Sequence, residues 1–175
     1  MPAIVLNGTS SSGKTSIARA IQKFSPIPFI HISLDTIVDM FRWDAISDDT
    51  LRRECHRAGI SNFHKVIPAL LSSRFPGVID HVFERNEWYS ECLSALHGHH
   101  YLIVGVHCPL EILRSRESAR GDRRIGLAEI QYSMVHKDRE YDLEVDTSIQ
   151  SSEDCASEIL AAYHQKAEQG AAANP

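Results

Sequence analysis

The chain has 175 residues, of which 43% are hydrophobic and 23% charged, and its formal net charge at pH 7 is −5. This size and composition are ordinary for one globular domain that buries its own core. The negative charge argues against a general nucleic-acid-binding protein, which needs a net basic face. No apolar run approaches the length of a membrane span, and the N-terminus lacks a signal-peptide pattern. The four cysteines form no C-x-x-C pair, so we expect a reduced, cytoplasmic setting.

The first motif is the segment Gly8 to Thr15, which reads Gly-Thr-Ser-Ser-Ser-Gly-Lys-Thr. It matches the phosphate-loop pattern G-x-x-x-x-G-K-[ST] at every fixed position. The apolar run Ala3 to Asn7 predicts a buried strand before it, and apolar residues at helical spacing predict a helix from Ser16 to Phe24. An accidental glycine-serine turn is the alternative, but it does not explain why strand, loop and helix follow one another in register.

The residue types of this loop explain how it would bind a nucleoside triphosphate. Gly8 and Gly13 let the backbone bend so that successive N–H groups point at phosphate oxygens, and the helix N-terminus adds its partial positive charge. Lys14 would reach the β- and γ-phosphates, and the Thr15 hydroxyl would ligate Mg²⁺. The predicted nucleotide-binding residues of the loop are Gly8, Ser10, Ser11, Ser12, Gly13, Lys14, Thr15 and Ser16.

An aspartate follows the second predicted strand, Phe29 to Ser33. In open α/β sheets, ligands bind beyond the carboxyl ends of the strands, so Asp35 stands where a general base would be useful. It could instead be the N-cap of the short segment Thr36 to Phe41. Its position in the sequence does not separate these two roles.

The next part of the chain is harder to interpret until a third strand appears. Residues 42–60 are polar and show no clear pattern, whereas Phe63 to Phe75 has one apolar face and predicts a helix. The run Val78 to Phe83 predicts a strand with Asp80 near its end, where phosphate-loop proteins hold the Mg²⁺ shell. His81 would point to the opposite face of that strand, which favours a structural role.

A predicted helix, Trp88 to Leu96, then leads to a histidine-rich loop and a fourth strand. Three histidines within residues 97–100 suggest zinc, but no further ligands stand at a recognisable spacing, so we do not predict a metal site there. The fourth strand, Tyr101 to His107, is apolar on both faces, as a central parallel strand should be.

Residues 114–124 contain five arginines, a notable concentration in an acidic protein. Pro109 suits the first turn of the helix that carries them, and Gly121 indicates that this helix ends and a mobile lid, about 116–126, begins. Such a cluster is more easily explained by a bound polyphosphate than by a solvated face paired with neighbouring acids. Three of the arginines would share one helical face if the helix continued: Arg116, Arg120 and Arg123.

The C-terminal third predicts a helix over about 127–135, a fifth strand from Tyr141 to Asp146 and a last helix. Ser151 and Asp154 resemble a capping box at the start of that helix. The alanine-rich residues 169–175 are expected to be a disordered tail, which leaves a single domain over 1–168.

Taken together, these motifs resemble the chloramphenicol phosphotransferase family of phosphate-loop kinases over about two thirds of the chain. The resemblance implies an α/β, three-layer fold of the P-loop kinase type, with a five-stranded parallel sheet in the order 2-3-1-4-5. It also implies ATP with Mg²⁺, and phosphate transfer to a hydroxyl of a small molecule such as chloramphenicol or another antibiotic. The stretches that carry it are the phosphate loop, Leu34 to Thr36, Ile79 to Phe83, Val104 to Cys108, Arg116 to Arg123 and Tyr141 to Thr147.

By motif match, the resemblance assigns Asp35 as the catalytic base and places Arg116 near adenine. Lys14 and the lid residues Arg120 and Arg123 would stabilise charge on the moving phosphoryl group. Thr15 and Asp80 would hold the metal.

Between Asp35 and Asp80 almost nothing matches the family, which has a second Asp where His81 stands. The acceptor and the oligomeric state therefore stay open, and no nucleic-acid or membrane partner is expected. Two alternatives also remain: a regulator that hydrolyses ATP slowly, and a kinase of a nucleotide or nucleotide-sugar like the zeta toxins.

Overall fold

The computed structural model describes residues 3–120 and 125–172, without the side chains of residues 120 and 170–172. Strands and helices alternate along these ranges, as the phosphate-loop fold requires. The strands are Ala3–Asn7 (β1), Ile30–Ser33 (β2), Gly77–His81 (β3), Tyr101–His107 (β4) and Leu143–Asp146 (β5). The α-helices are Lys14–Phe24 (α1), Leu34–Val38 (α2), Asp49–Leu71 (α3), Asn86–Ala95 (α4), Leu110–Arg120 (α5), Leu127–Tyr132 (α6) and Ser152–Ala172 (α7). A 3₁₀ turn, Trp43–Ala45, precedes α3.

The five strands form one parallel sheet in the order β2-β3-β1-β4-β5, which confirms the predicted topology. In its register, Leu6 of β1 pairs with Asp80 of β3 on one side and with Val104 of β4 on the other. Parallel strands end at the same edge of the sheet, so the loops after β1, β2 and β3 meet there. This edge is where the sequence placed its candidate functional residues.

Alternating side chains of the central strands cover both faces of the sheet and create two hydrophobic cores. Ile4 and Leu6 pack in the core that includes residues of α1 and α7. Ala3 and Val5 pack in the other core, with residues of α2, α3 and α4. The sheet therefore lies between two helical layers, and because side chains alternate along a strand, neighbouring residues of β3 serve different layers.

The long helix α3 differs most from the sequence prediction, because it begins at Asp49 rather than near Phe63. The Asp48 carboxylate accepts a 2.7 Å hydrogen bond from the Leu51 N–H and caps the helix. The first turns face solvent, and the buried residues start at Gly59, so no apolar stripe marks the true beginning. Pro68 lies inside the helix near its end and does not stop it.

The final helix is capped as predicted and continues further than predicted. The Ser151 hydroxyl accepts from the Asp154 N–H at 3.1 Å, while the Asp154 carboxylate accepts from the Ser151 N–H at 3.4 Å. The helix runs to Ala172, so the first residues of the expected disordered tail are helical, and residues 173–175 lie outside the described ranges.

Across the parts of the chain that are described, no helix is long and apolar enough to cross a membrane.

Candidate active site

The phosphate loop connects β1 to α1 through two left-handed backbone positions. Gly13, directly before α1, has a φ of 96°, and Ser11 has a φ of 63°. Gly8 is required for another reason: a Cβ at this position would lie 2.4 Å from the carbonyl oxygen of Val106. Both fixed glycines are therefore needed: Gly13 for its backbone conformation and Gly8 for the close approach of Val106.

At the start of α1, Lys14 and Thr15 both face the end of β3. The Lys14 ammonium donates a 2.8 Å hydrogen bond to the Thr9 carbonyl and lies 4.0 Å from a carboxylate oxygen of Asp80. The Thr15 hydroxyl donates to the other Asp80 oxygen at 2.8 Å. His31 of β2, which the sequence did not single out, brings its Nε2 within 3.6 Å of the same oxygen.

These neighbours determine the charge of Asp80. Burial alone would raise the pKa of this carboxyl, but the His31 imidazole, the Lys14 ammonium and the Thr15 hydroxyl outweigh it and hold the pKa below its ordinary value. Asp80 is therefore an ionised carboxylate at neutral pH, although only 6% of the residue is exposed. An ionised oxygen beside a hydroxyl is the donor pair that a hard cation such as Mg²⁺ prefers.

One cavity of about 500 Å³ at this edge of the sheet brings most of the predicted site residues together. The phosphate loop lines one part of this cavity, and Asp35 at the start of α2 lines another. The predicted residues that line it are Ser10, Ser11, Gly13, Lys14, Thr15, Ser16, Asp35, Asp80 and Arg116. The remaining two described ones, Gly8 and Ser12, are buried in the loop. Arg123 and the side chain of Arg120 lie outside the described residues, as does part of the predicted lid.

Asp35 is not an N-cap, so that alternative is wrong. Helix α2 starts at Leu34, two residues before the predicted segment Thr36 to Phe41, and Ser33 occupies the capping position. Asp35 therefore lies in the first turn of a five-residue helix, half-buried, with its side chain on the wall of the cavity.

Three loop serines show that the loop suits a phosphate. The side-chain oxygens of Ser10, Ser11 and Ser12 are buried, and none has a hydrogen-bond partner among the residues described. Buried hydroxyls are normally satisfied, and phosphate oxygens would supply the missing partners. The same part of the chain holds no group of three or more His, Cys, Asp or Glu residues able to bind a metal alone. Mg²⁺ characteristically binds through one or two protein ligands and substrate phosphates, which this arrangement fits.

Arg116 of α5 lines the cavity and is held there by Thr147, a residue to which the sequence pattern gave no role of its own. Its guanidinium donates to the Thr147 hydroxyl at 2.9 Å and to the Thr147 carbonyl at 2.7 Å. Thr147 in turn donates to the Ser12 carbonyl at 2.8 Å, so the loop after β5 is tied to the phosphate loop. The sequence offered two weak signals: Thr147 directly follows the fifth predicted strand, and it ends a stretch that resembles the family.

The remaining interactions of α5 show that its charged residues have separate roles. Glu117, only 2% exposed, accepts from the Gly126 N–H at 2.6 Å and from the Ala128 N–H at 3.0 Å, and so holds the start of α6. Arg114 pairs on the surface with Glu111 and Glu129. The solvated-face interpretation therefore applies to Arg114, whereas Arg116 faces the cavity.

A second unpredicted connection joins the phosphate loop to the segment after β3. Gln131 of α6, 3% exposed, accepts a 2.6 Å hydrogen bond from the Ser10 N–H. Its amide nitrogen donates to Glu84 at 2.6 Å. Nothing in the sequence marked Gln131, because its role depends on a contact across more than a hundred residues.

His81 lies on the other face of β3 and is structural, as its position in the strand predicts. It is fully buried; its Nδ1 accepts from the Val82 N–H, and its Nε2 lies 2.8 Å from His64 Nε2. His64 Nδ1 is 2.9 Å from Glu91. Burial and the adjacent His64 lower the pKa of His81 well below its usual value, so the ring is neutral. A neutral ring that accepts at Nδ1 must donate at Nε2, which directs His64 to donate to Glu91.

A glycine-bent loop after β1, a lysine and threonine at the start of α1, and carboxylates at the ends of two neighbouring strands define a P-loop kinase. Solved structures of this class share the fold. A gluconokinase from Sinorhizobium meliloti superposes with a TM-score of 0.70 at 19% identity, covering 99% of this chain and 98% of that one. The Mycobacterium tuberculosis APS kinase, in complex with AMPPNP and APS, superposes with a TM-score of 0.70 at 17% identity. The match covers 93% of this chain and 98% of that one.

Within this class, the chain belongs to the chloramphenicol phosphotransferase-like family, whose model matches residues 2–164. A Mycobacterium tuberculosis protein is 31% identical over 91% of this chain and 81% of its own length, and its name assigns it provisionally as an O-phosphotransferase. The resemblance stated from the motifs is thereby confirmed, and so is the general activity, a phosphotransferase on a nucleotide-binding P-loop fold.

Proposed function

We propose that this protein transfers the γ-phosphoryl group of ATP to a hydroxyl group of a small molecule. The observation that carries this proposal is that Asp35 and the phosphate loop line one cavity. A nucleotide-binding regulator needs a carboxylate for its metal ion, such as Asp80, but none aimed at an acceptor. A kinase needs one, because a base within reach of the acceptor hydroxyl takes its proton during transfer.

In the proposed reaction, the acceptor oxygen attacks the γ-phosphorus while its proton passes to the Asp35 carboxylate. The bond between the γ-phosphorus and the bridging oxygen breaks, and ADP leaves with that electron pair. Lys14, with Arg120 and Arg123, would neutralise charge on the transferring group. Mg²⁺, held by Thr15 and Asp80, would neutralise the phosphate oxygens.

We propose that the adenosine part of the nucleotide lies against Arg116, beside the phosphate loop. Arg116 and Thr147 line this part of the cavity, together with Gln150, Ser151 and Ser152 at the start of α7. The Arg116 guanidinium is fixed by its two hydrogen bonds to Thr147 and offers a flat surface for stacking on a purine.

The test is acceptor-dependent consumption of ATP. ADP release is followed with Mg²⁺ and a panel of hydroxylated antibiotics, including chloramphenicol, together with sugars, hydroxy acids and nucleosides. We expect at least one acceptor to accelerate ADP release and to gain the mass of one phosphoryl group. ADP release that no acceptor changes would instead favour a slow ATPase and contradict the kinase proposal.

A further inference from the structure

A second cavity of about 530 Å³ lies beside the first and has a different chemical character. Its walls come from α2, the 3₁₀ turn, the exposed first turns of α3, and the connection into α4. The residues that define this arginine pocket are Arg52, Arg53, Arg57, Arg85, Trp43 and Trp88. Its volume is within the range of small-molecule sites.

The pocket adjoins the phosphate site through two segments that line both cavities. On α2, Asp35 lines the first cavity and Val38, one turn later, lines the second. After β3, Val82 lines the first cavity and Glu84 lines the second. A small molecule in the arginine pocket therefore has Asp35 on the side that leads to the phosphate loop.

Four exposed arginines give the pocket an excess of positive charge. None of its four arginines is paired with a carboxylate in the described part of the chain. Glu84, the acidic residue among the described lining residues, is engaged by Gln131. Arg53 and Arg57 are four residues apart on α3, a spacing at which like charges destabilise a helix. In a chain of net charge −5, this excess of positive charge favours an anionic ligand over a neutral one.

Hydrogen bonds and ring contacts hold some side chains of the pocket in place, and its walls include apolar surface. The Arg52 guanidinium donates to the carbonyls of Trp43 and Ile46 at 2.7 and 2.6 Å and lies 5.7 Å from the centre of the Trp43 ring. The Arg85 guanidinium lies 5.7 Å from the Trp88 ring. Both tryptophans are half-buried and present ring surface next to the cations. Such walls suit a molecule with an apolar or flat body and an anionic group.

We infer that the arginine pocket binds the phosphate acceptor, and that this acceptor is an alcohol carrying an anionic group, either a carboxylate or a phosphate. The assignment as acceptor rests on the proposed function, whereas the anion selectivity of the pocket does not. A neutral alcohol such as chloramphenicol gives the arginines no anionic partner and binds more weakly than an anionic alcohol of similar size.

The two tryptophans give a direct test, because the chain has only two and both line this pocket. Intrinsic tryptophan fluorescence is measured while each anionic alcohol or its neutral counterpart is added. The carboxylate pairs are gluconate with glucose and shikimate with its methyl ester. The phosphate pair is glucose 6-phosphate with methyl glucoside, and chloramphenicol is the neutral aromatic probe. The titrations contain AMPPNP and Mg²⁺, which occupy the phosphate site without turnover.

We expect a saturable fluorescence change with at least one anionic alcohol and none, or one about 10- to 100-fold weaker in affinity, with its neutral counterpart. The double variant Arg57→Met/Arg85→Met should weaken that binding by a similar factor. Arg19→Met, an exposed arginine on α1, is the matched control and should leave it unchanged. The arm that responds identifies the anionic group as carboxylate or phosphate.

Equal affinity for an anion and its neutral counterpart, no response to any anionic probe, or full binding by the double variant would each overturn the inference. Phosphorylation assays with the same alcohols separate it from the proposed function. If anions bind selectively but no alcohol is phosphorylated, the anion pocket stands and the kinase proposal fails. If neutral alcohols are phosphorylated as well as anionic ones, the kinase proposal stands and the anionic acceptor is wrong.

Discussion

The Thr15 hydroxyl donates a 2.8 Å hydrogen bond to Asp80, which joins the phosphate loop to the end of the neighbouring strand. Thr15 lies in the helix that follows β1, and Asp80 lies in β3 itself. Their oxygens meet because β1 and β3 are hydrogen-bonded neighbours. The neighbours of this carboxylate hold its pKa low, so it is charged whenever the enzyme would work. We expect this oxygen pair to set the dependence on Mg²⁺.

Asp80→Asn should therefore lower turnover by about a hundredfold or more, because a metal ion contributes several kcal/mol of charge stabilisation. Nucleotide affinity measured without Mg²⁺ should change little, since the backbone of the loop is untouched. Asp39→Asn, an exposed aspartate after α2, is the control. Normal Mg²⁺-dependent turnover in Asp80→Asn would exclude Asp80 as a metal ligand.

Lys14→Ala should abolish phosphoryl transfer and leave the fold intact. The lysine is buried against the loop, but its ammonium faces the Thr9 carbonyl and Asp80 rather than an apolar core. Removing it takes away the cation that would contact the β- and γ-phosphates. Circular dichroism and the melting temperature check the fold, while ADP release measures transfer. A folded variant with normal turnover would contradict the nucleotide-site assignment.

Asp35→Asn tests the catalytic base. An amide keeps the size of the side chain but cannot take a proton, so turnover should fall by about 10²–10⁴-fold with ATP affinity nearly unchanged. Because Ser33, not Asp35, caps α2, Asp35→Ala should lower turnover in the same way and cost little stability. Acceptor phosphorylation retained in Asp35→Asn would refute the base assignment.

Glu117→Ala should destabilise the protein by about 2–3 kcal/mol, because the N–H groups of Gly126 and Ala128 would lose a buried carboxylate acceptor. Glu117→Gln keeps one acceptor oxygen and should cost less. Urea unfolding of both variants gives the free energies. The exposed Glu87→Ala on α4 is the control and should be within about 0.5 kcal/mol of the parent protein.

His136 should make the protein less stable in mild acid. Burial and the stacked His107, 4.0 Å away between ring centres, lower the pKa of His136 to about 4. Since the unfolded histidine titrates near 6.5, the unfolded chain binds more protons between about pH 6.5 and pH 4, and stability is lost as pH falls through that window.

In the variant His136→Asn, the new side chain can still hydrogen-bond with the Tyr141 hydroxyl, but it does not titrate in this range. Between pH 7.5 and pH 5, its unfolding free energy should fall by about 1–2 kcal/mol less than that of the parent protein. The exposed His97→Asn should behave like the parent. Identical pH dependence in all three proteins would show that His136 does not contribute.

Short-range patterns were sufficient to predict the phosphate loop, most strands and the capping box of α7. Each of these depends on residues close together in sequence: glycines at fixed spacing, an alternating or continuous apolar run, a serine three residues before an acid. The assignment of His81 to the opposite face from Asp80 has the same basis, since side chains of a regular strand alternate. The sheet order came from the family resemblance, as did the choice of base rather than cap for Asp35 and the position of Arg116 near adenine.

The tertiary structure decided the rest, because it depends on which distant segments pack together. The early start of α3 was hidden, since a helix whose first turns face solvent needs no apolar stripe there. The roles of Thr147 and Gln131 arise from hydrogen bonds to a loop more than a hundred residues away. The arginines of α3 appeared only as a polar stretch in the sequence. They form a pocket because the fold places them opposite Arg85 and Trp88, beside the phosphate site.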